Sequence, residues 1–197
     1  REMRDDPTMR SRIEDHIIEV CQATDRNTMV FFRSYEMLRS MRGRIEESVD
    51  RPLYWEEAGS SRRLASSIQA FKKGRGGVFF TVMGGKVAEG LDFPGQELDI
   101  AVVVGLPYPP PSVMLEELRR RYDRTYGPGR GWEYSSAIPA VRKVQQAVGR
   151  LIRTESDKGV AIILDNRVAR YREQLDAKPS DDLVKDIVGF LGWSKRF

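Results

Sequence analysis

The chain has 197 residues, and its 33 Lys and Arg against 29 Asp and Glu give a formal net charge of +4. Apolar residues make up 40% of the chain, which is enough for a packed core and argues against a disordered tail. The single Cys and single His exclude a disulfide framework, a four-thiolate site and a paired-histidine metal site within this chain.

Amphipathic helices alternate with short apolar strands along the first half of the chain. Helices are predicted where apolar residues recur every three or four positions, and strands where β-branched and aromatic residues form short runs. The predicted elements are helix 10–23, strand 28–32, a helix after Ser34 as its N-cap, a short strand 52–55, a helix from Ser60 or Ser61 to the glycines at 74–77, and strand 77–83. His16, beside the apolar face of the first helix, is interpreted as structural or exposed rather than as a ligand.

The predicted elements of the second half are strand 99–106, helix 112–126, an exposed Gly-rich loop 127–132, helix 141–153, strand 159–165, helix 167–175 and a last helix 180–191 with Ser180 as N-cap. Apolar strands without polar alternation are typical of a parallel sheet with helices on both faces. The prediction is one α/β domain over 1–197 with a helical insertion at 112–139. Ligands bind beyond the carboxyl ends of such strands, so the predicted ligand-binding loops follow Phe32, Met83, Leu106 and Asp165.

Positive charge is concentrated in one stretch of the chain. Nine Lys and Arg but only two acids, Asp123 and Glu133, stand between Arg119 and Arg153. Such an excess indicates a polyanion partner or, equally, a solvated helix face held by salt bridges. Aromatic residues in the same stretch favour single-stranded nucleic acid, because bases stack on exposed rings. Trp132 is therefore a candidate DNA contact.

Predicted helix 141–153 carries a polar face opposite its apolar one. Gln146, Gly149, Arg150 and Arg153 are spaced so that they share that face. Glycine inside a helix costs roughly 1 kcal/mol against alanine, so a ligand or another lobe is expected to approach closely at Gly149. Two arginines on one face can fork onto phosphate oxygens and neutralise charge during phosphoryl transfer. A solvated basic face is the alternative interpretation.

A glycine-rich segment, GGKVAEGLDFPG, follows the third predicted strand directly. Gly84, Gly85 and Gly90 expose backbone N–H groups that can bind phosphate oxygens, and Lys86 adds a positive charge. Asp92 is placed to accept hydrogen bonds from a hydroxyl such as that of a ribose. The alternative interpretation is a tight turn with an exposed lysine.

The principal parts of a nucleotide-hydrolysing site are absent from the sequence. A P-loop requires Ser or Thr after Gly-Lys, but Lys86 is followed by Val87, and Phe80 stands where the first glycine belongs. No acidic pair of the DEAD type follows a strand to hold magnesium. The chain therefore carries accessory parts for nucleotide hydrolysis without the main ones.

Three segments resemble motifs of the XPD/DinG-like DNA helicases of the second helicase superfamily, with the closest likeness to XPD. VFFRSYEML at 30–38 resembles motif IV, GGKVAEGLDFPG at 84–95 resembles motif V, and QAVGRLIRTESDKGVAIILDNR at 146–167 resembles motif VI. Arg33 departs from motif IV, where proline is expected. The resemblance extends over about 10–197 and implies a RecA-like parallel sheet flanked by helices, the second motor domain of a 5′ to 3′ DNA helicase.

The resemblance also implies roles for individual residues. The catalytic residues expected to reach the γ-phosphate of ATP on another lobe are Arg150, Arg153 and Gln146. Those expected to contact the nucleotide are Gly90, Asp92 and Gly149. Those expected to contact DNA are Ser34, Tyr35, Gly85 and Lys86.

The resemblance further implies an enzyme of which this chain is one part. An N-terminal RecA-like lobe of the same protein would bind most of ATP and Mg²⁺ and carry a 4Fe–4S cluster that this chain cannot hold. Single-stranded DNA is the expected partner, nucleotide excision repair the expected process, and repair-complex proteins are further expected partners. A start at Arg1 rather than Met favours a fragment of a longer helicase, inactive alone because it has no P-loop.

Two other classes of function compete with the motor. One is a non-catalytic nucleic-acid-binding or scaffolding module. The other is a complete small-molecule enzyme, for which one His and a Cys21 on a buried helix face provide no convincing catalytic set. No apolar run reaches the ~18 residues of a membrane span, and the start REMRDDPTMR lacks the apolar core of a leader. The cysteine usage favours a reducing, intracellular compartment.

Overall fold

The computed structural model describes residues 7–57, 61–85, 87, 98–149, 151 and 158–192. Five parallel strands form one sheet in the order β2-β3-β1-β4-β5. Their bounds are β1 Thr28–Phe32, β2 Leu53–Trp55, β3 Val78–Val82, β4 Ile100–Val104 and β5 Val160–Leu164. The predicted parallel α/β sheet is therefore confirmed, and the short extended run at 52–55 is one of its strands.

β1 lies at the centre of the sheet, between β3 and β4. The register places Val30 beside Phe80 and Val102, so matching positions of the three strands point to the same face. Every residue of these three strands is buried, because helices cover both faces. β5 is an outermost strand of the sheet and is only partly buried, with Ala161 exposed. Its apolar run thus resembles that of a central strand although its position is lateral.

Helices cover the sheet on both sides. The main helices are α1 Pro7–Ala23, α2 Tyr35–Ser48, α3 Ser61–Lys73, α4 Val113–Tyr126, α5 Ile138–Val148 and α6 Leu183–Leu191. One face packs against α1, α2 and α6 in a core that contains Phe32, Ile45 and Ile187. The opposite face packs against α3 and α5 in a core that contains Phe71 and Val144.

The connection between β4 and β5 is mostly helical. After α4 and a short turn, a helical turn at 130–132 and a π-helical turn at 133–137 lead directly into α5. The predicted exposed loop is therefore wrong for its second half, since Gly131 is buried against α4. The Gly131 amide donates to Asp123 Oδ1 at 2.8 Å, and a Cβ on Gly131 would collide with the carbonyl oxygen of Arg119. Only glycine allows this close approach.

Two predicted helices differ in extent from the observed ones. α5 begins at Ile138 and ends at Val148 with Gly149 as its C-cap, so this glycine does not lie in a helix interior. The expected cost of an interior glycine therefore does not apply at Gly149. The predicted helix 167–175 is a 3₁₀-helix, Asn166–Tyr171, followed by a single α-helical turn, Arg172–Leu175.

The last helix is capped by a residue other than the predicted one. α6 begins at Leu183 because Asp182, not Ser180, occupies the N-cap. Asp182 Oδ1 accepts a hydrogen bond from the Lys185 amide at 2.9 Å. Among the helices of the described part of the chain, none combines the length and the apolar character needed to cross a membrane.

Candidate functional site

Two of the predicted DNA contacts, Ser34 and Tyr35, lie just beyond the carboxyl end of β1. Ser34 Oγ accepts a hydrogen bond from the Met37 amide at 3.2 Å and so caps α2, as predicted. The Tyr35 hydroxyl donates to Glu56 Oε1 at 2.9 Å. Desolvation and then this hydrogen bond to a carboxylate raise the pKa of Tyr35 to about 12, so the phenol stays protonated at neutral pH. Both side chains are therefore fixed by partners within the fold.

Glu56, which directly follows β2, is a carboxylate that the sequence analysis missed. It is only 1% exposed, and the Thr81 hydroxyl donates to its Oε2. Gly85, another predicted DNA contact, lies directly on this carboxylate: a Cβ on Gly85 would stand 2.8 and 2.9 Å from the two oxygens. A single glutamate after a strand has no periodic signal, and its place at a strand's carboxyl end is the only feature that could have singled it out. Position 85 requires glycine because the Glu56 carboxylate leaves no space for a Cβ atom.

Asp165 and Arg167 form an ion pair beyond the carboxyl end of β5. Asp165 Oδ2 accepts a hydrogen bond from the Leu106 amide at 2.7 Å, and Arg167 Nε donates to Asp165 Oδ1 at 2.9 Å. Burial by itself would raise the pKa of Asp165, but the hydrogen bonds from Arg167 and Leu106 outweigh it and lower that pKa. The carboxylate thus holds both the guanidinium and the loop after β4.

Arg167 is the first member of a cation–aromatic ladder that crosses this edge of the sheet: Arg167, Tyr108, Trp132 and Arg119. The Arg167 guanidinium lies 4.9 Å from the centroid of the Tyr108 ring, and the Tyr108 and Trp132 centroids are 5.2 Å apart. The Arg119 guanidinium lies 4.6 Å from the Trp132 centroid. Trp132 nevertheless keeps 43% of its surface exposed. Sequence reasoning found Trp132 from charge and aromatic content but missed Tyr108 and Arg167 as its neighbours.

The predicted nucleotide-facing residues Gln146 and Gly149 are exposed at the far end of α5. Leu151, just beyond, packs near the amino ends of β4 and β5. A Cβ on Gly159 would lie 3.0 Å from Leu151 Cβ and 3.2 Å from the Asp99 carbonyl oxygen, and residues 99 and 159 directly precede these strands. The described members of the two predicted groups therefore lie at opposite ends of the strands: Ser34, Tyr35 and Gly85 at the carboxyl ends, and Gly149 near the amino ends.

Five predicted site residues lie outside the described residues: Lys86, Gly90, Asp92, Arg150 and Arg153. Their roles stay predictions. Lys86 stands between the described residues Gly85 and Val87, and Gly90 and Asp92 between Val87 and Leu98. Arg150 stands between Gly149 and Leu151, and Arg153 between Leu151 and Lys158.

The described residues do not fit a metal centre. Within them, no group of three or more His, Cys, Asp or Glu is arranged to hold a metal ion. Cys21 is buried, and desolvation raises its thiol pKa to about 12. His16 Nδ1 lies 3.1 Å from Glu19 Oε2 on the surface of α1. One inert thiol cannot ligate an iron–sulfur cluster.

A family model described as the helicase C-terminal domain matches residues 17–179. The regulator of telomere elongation helicase 1 homologue of Aedes aegypti is 31% identical over 191 residues, which cover 87% of this chain and 18% of the relative. The homologue of Drosophila persimilis is 32% identical over 206 residues, covering 96% and 20%. The chain thus spans about a fifth of the length of these curated relatives.

Solved structures of XPD are also similar to this chain. An XPD helicase structure matches 89% of the chain and 31% of its own length with a TM-score of 0.70 and 30% identity. An apo XPD structure matches 91% of the chain and 36% of its own length, also with a TM-score of 0.70, at 29% identity. Domain 2 of the DEAD-box helicase Mss116p, bound to an RNA duplex, covers 95% of the chain at 12% identity and a TM-score of 0.55, which indicates the fold alone. The sheet and its helices form a RecA-like α/β fold.

Proposed function

The chain belongs to the helicase C-terminal domain family of the XPD-like helicases, and on this premise we propose that it is the second motor domain of an ATP-dependent 5′ to 3′ DNA helicase. One edge of its sheet would grip single-stranded DNA. The other edge would supply arginine fingers to ATP held by a first RecA-like lobe. Relatives of the chain are named as helicases. The proposal is that the carboxyl ends of the strands bind DNA and the amino ends face the nucleotide.

The observation that carries this proposal is the separation of the two groups of predicted residues. Ser34, Tyr35 and Gly85 stand at the carboxyl edge of the sheet, whereas Gly149 and Leu151 stand near the amino edge. A strand of five residues spans about 17 Å, so one rigid sheet can contact a DNA strand and a nucleotide at two distinct surfaces. A motor domain needs a rigid sheet of this kind, because ATP binding and hydrolysis at one surface must change the DNA contacts at the other.

The cation–aromatic ladder supports the DNA-gripping part. Single-stranded nucleic acid is bound without sequence preference by exposed rings that stack on bases and by cations that follow the phosphates. Trp132 offers an exposed indole, and Arg167 offers a guanidinium that Asp165 already orients. These features lie at the same edge as Tyr35 and Gly85.

The nucleotide-facing part rests on the family resemblance of the motif VI segment. Arg150 and Arg153, with Gln146 beside them, would reach the γ-phosphate, while Gly90, Asp92 and Gly149 would line the nucleotide. ATP and Mg²⁺ would be held mainly by the first lobe. ATP would draw the arginines and close the lobes, and loss of phosphate would let them open. A 4Fe–4S cluster in the remainder of the protein, an intracellular location and a role in nucleotide excision repair belong to the same proposal.

The test is the substitution Arg153→Ala in the complete helicase that contains this chain. We expect DNA-stimulated ATP hydrolysis to fall by about 10³- to 10⁵-fold, as for arginine fingers in general, with single-stranded DNA affinity nearly unchanged. Arg142→Ala is the matched control, because Arg142 is an exposed arginine on α5 itself. ATP turnover by a coupled assay and DNA binding by fluorescence anisotropy measure the two effects.

The same experiment separates the motor from its rival, a non-catalytic nucleic-acid-binding or scaffolding module. Normal hydrolysis by the Arg153→Ala protein would refute the arginine-finger assignment. Mixing this chain with a separately produced P-loop lobe gives the complementary result: restored ATPase supports a motor, whereas no hydrolysis with DNA binding intact supports the module.

A further inference from the structure

The carboxylate of Glu56 lies beneath two of the predicted DNA-contacting segments. Its backbone amide donates to the Phe80 carbonyl oxygen at 2.8 Å and so extends the ladder between β2 and β3 by one residue. The side chain is thereby held at the carboxyl edge of the sheet, and it is only 1% exposed. A group buried to this degree cannot touch a DNA strand itself. It can act only through the groups that cover it.

The two oxygens of Glu56 hold different segments. Oε1 accepts the hydrogen bond from the Tyr35 hydroxyl at 2.9 Å, and Tyr35 is the first residue of α2. Oε2 accepts the Thr81 hydroxyl and lies 3.4 Å from the Val82 amide nitrogen, which belongs to the end of β3. One carboxylate thus ties the start of α2 to the end of β3. Hydrogen bonds to an ionised acceptor are about twice as strong as those between neutral groups.

The backbone at Gly85 packs against the same carboxylate. The Gly85 amide donates to the Val82 carbonyl oxygen at 2.8 Å, which closes a tight turn after β3. A Cβ on Gly85 would stand within 2.9 Å of both Glu56 oxygens, so the turn follows the surface of the carboxylate without a gap. The path of the chain at Gly85 is therefore set by Glu56.

We propose that Glu56 is a positioning residue for single-stranded DNA binding, which fixes Tyr35 and the Gly85 turn relative to each other. This inference rests on the proposed function, because it presumes that this edge of the sheet grips DNA. Loss of the carboxylate would let the two segments move independently. Each would then have to be ordered when DNA binds, and affinity would fall.

The test is Glu56→Gln, measured by fluorescence anisotropy of a labelled oligothymidylate bound to the chain. The variant keeps the shape of the side chain but replaces one acceptor oxygen with a donor, and we expect Kd to rise about tenfold. Electrostatics alone predicts the opposite, since removal of a negative charge near a DNA site should tighten binding. Glu57→Gln is the matched control, because Glu57 is the neighbouring glutamate and its side chain is 64% exposed.

A hydroxyl deletion distinguishes positioning from a purely structural role. Tyr35→Phe should weaken DNA binding severalfold in the original chain and have a smaller effect in Glu56→Gln, because both changes act on the same hydrogen-bonded link. Unchanged or tighter binding by a folded Glu56→Gln chain, or fully additive effects of the two substitutions, would overturn the proposal. If circular dichroism finds Glu56→Gln unfolded, Tyr35→Phe decides alone. An original chain that binds no DNA contradicts the proposed function itself, which is a separate outcome.

Discussion

The Asp165 carboxylate is more acidic in the folded chain than in an unfolded one. Its burial opposes ionisation, but Arg167 and the Leu106 amide donate hydrogen bonds to the ionised form and prevail, so the pKa is lowered. A group with a depressed folded pKa stabilises the fold at pH values above its unfolded pKa of about 3.9. That stabilisation is lost as the pH falls through the folded pKa.

Asp165→Asn should therefore destabilise the chain in a pH-dependent manner. We expect the free energy of unfolding at pH 7 to fall by about 2 kcal/mol, since hydrogen bonds to a charged acceptor are lost. The difference from the original chain should shrink below about pH 4, where the carboxylate becomes protonated. Urea titrations followed by circular dichroism at several pH values measure this. Asp50→Asn, at an exposed position, is the control, and a difference that persists unchanged at pH 3 would contradict the linkage.

Sequence reasoning at the residue scale succeeded where the residue type alone fixes a local role. Ser34 was predicted as an N-cap because a hydroxyl before an apolar stripe has that role, and its hydrogen bond to the Met37 amide confirms it. Glu56 and Arg167 were missed because their importance depends on strands that lie far apart along the chain. Residues distant in the sequence contribute to both roles: Tyr35 and Gly85 lie against Glu56, and Tyr108 lies beneath the Arg167 guanidinium.

At the scale of secondary-structure elements, the first residue of a helix depends on which of several neighbouring polar residues occupies the N-cap position. Ser180, Asp181 and Asp182 all precede the apolar stripe of α6, and any of them could cap a helix. Asp182 occupies the N-cap because its carboxylate accepts the hydrogen bond of the Lys185 amide. The existence of the helix followed from periodicity, whereas its first residue did not.

Substitution of Asp182 and of Ser180 should distinguish the observed N-cap of α6 from the predicted one. Asp182→Ala is expected to lower the free energy of unfolding by about 1 kcal/mol, because the Lys185 amide loses its acceptor and a negative charge leaves the helix N-terminus. Ser180→Ala should have almost no effect. Thermal unfolding followed by circular dichroism compares the two variants. A larger loss for Ser180→Ala than for Asp182→Ala would place the helix start two residues earlier.

At the scale of the whole molecule, sequence periodicity predicted a parallel α/β sheet but not its strand order. The order β2-β3-β1-β4-β5 arises because the chain returns past β1 after β3, and no local pattern encodes that crossing. The resulting sheet puts Tyr35 and Gly85 at one edge and Gly149 at the other. Periodicity alone predicts ligand-binding loops at the carboxyl ends of the strands and a polar face on helix 141–153, but not how far apart the two lie.

The proposed DNA-gripping edge predicts how the chain binds a single strand. Binding of an oligothymidylate should weaken steeply with salt, because phosphate contacts release counterions. Trp132→Ala should weaken it further by about tenfold, as expected for loss of one base-stacking ring. Phe190→Ala is the matched control, because Phe190 is a 58% exposed ring on α6, outside the cation–aromatic ladder. Anisotropy titrations at several salt concentrations measure both effects, and equal losses for the two variants would argue against Trp132 as a contact.

The single thiol of Cys21 can be used to measure how often α1 separates from the sheet. No other sulfhydryl exists in the sequence, and this one is completely enclosed between α1 and the sheet with a pKa near 12. An alkylating reagent therefore reacts only with molecules in which α1 has separated from the strands, and the labelling rate reads that separation directly. Motions confined to the proposed DNA- and nucleotide-facing surfaces leave the sulfur protected, so labelling distinguishes them from separation of α1.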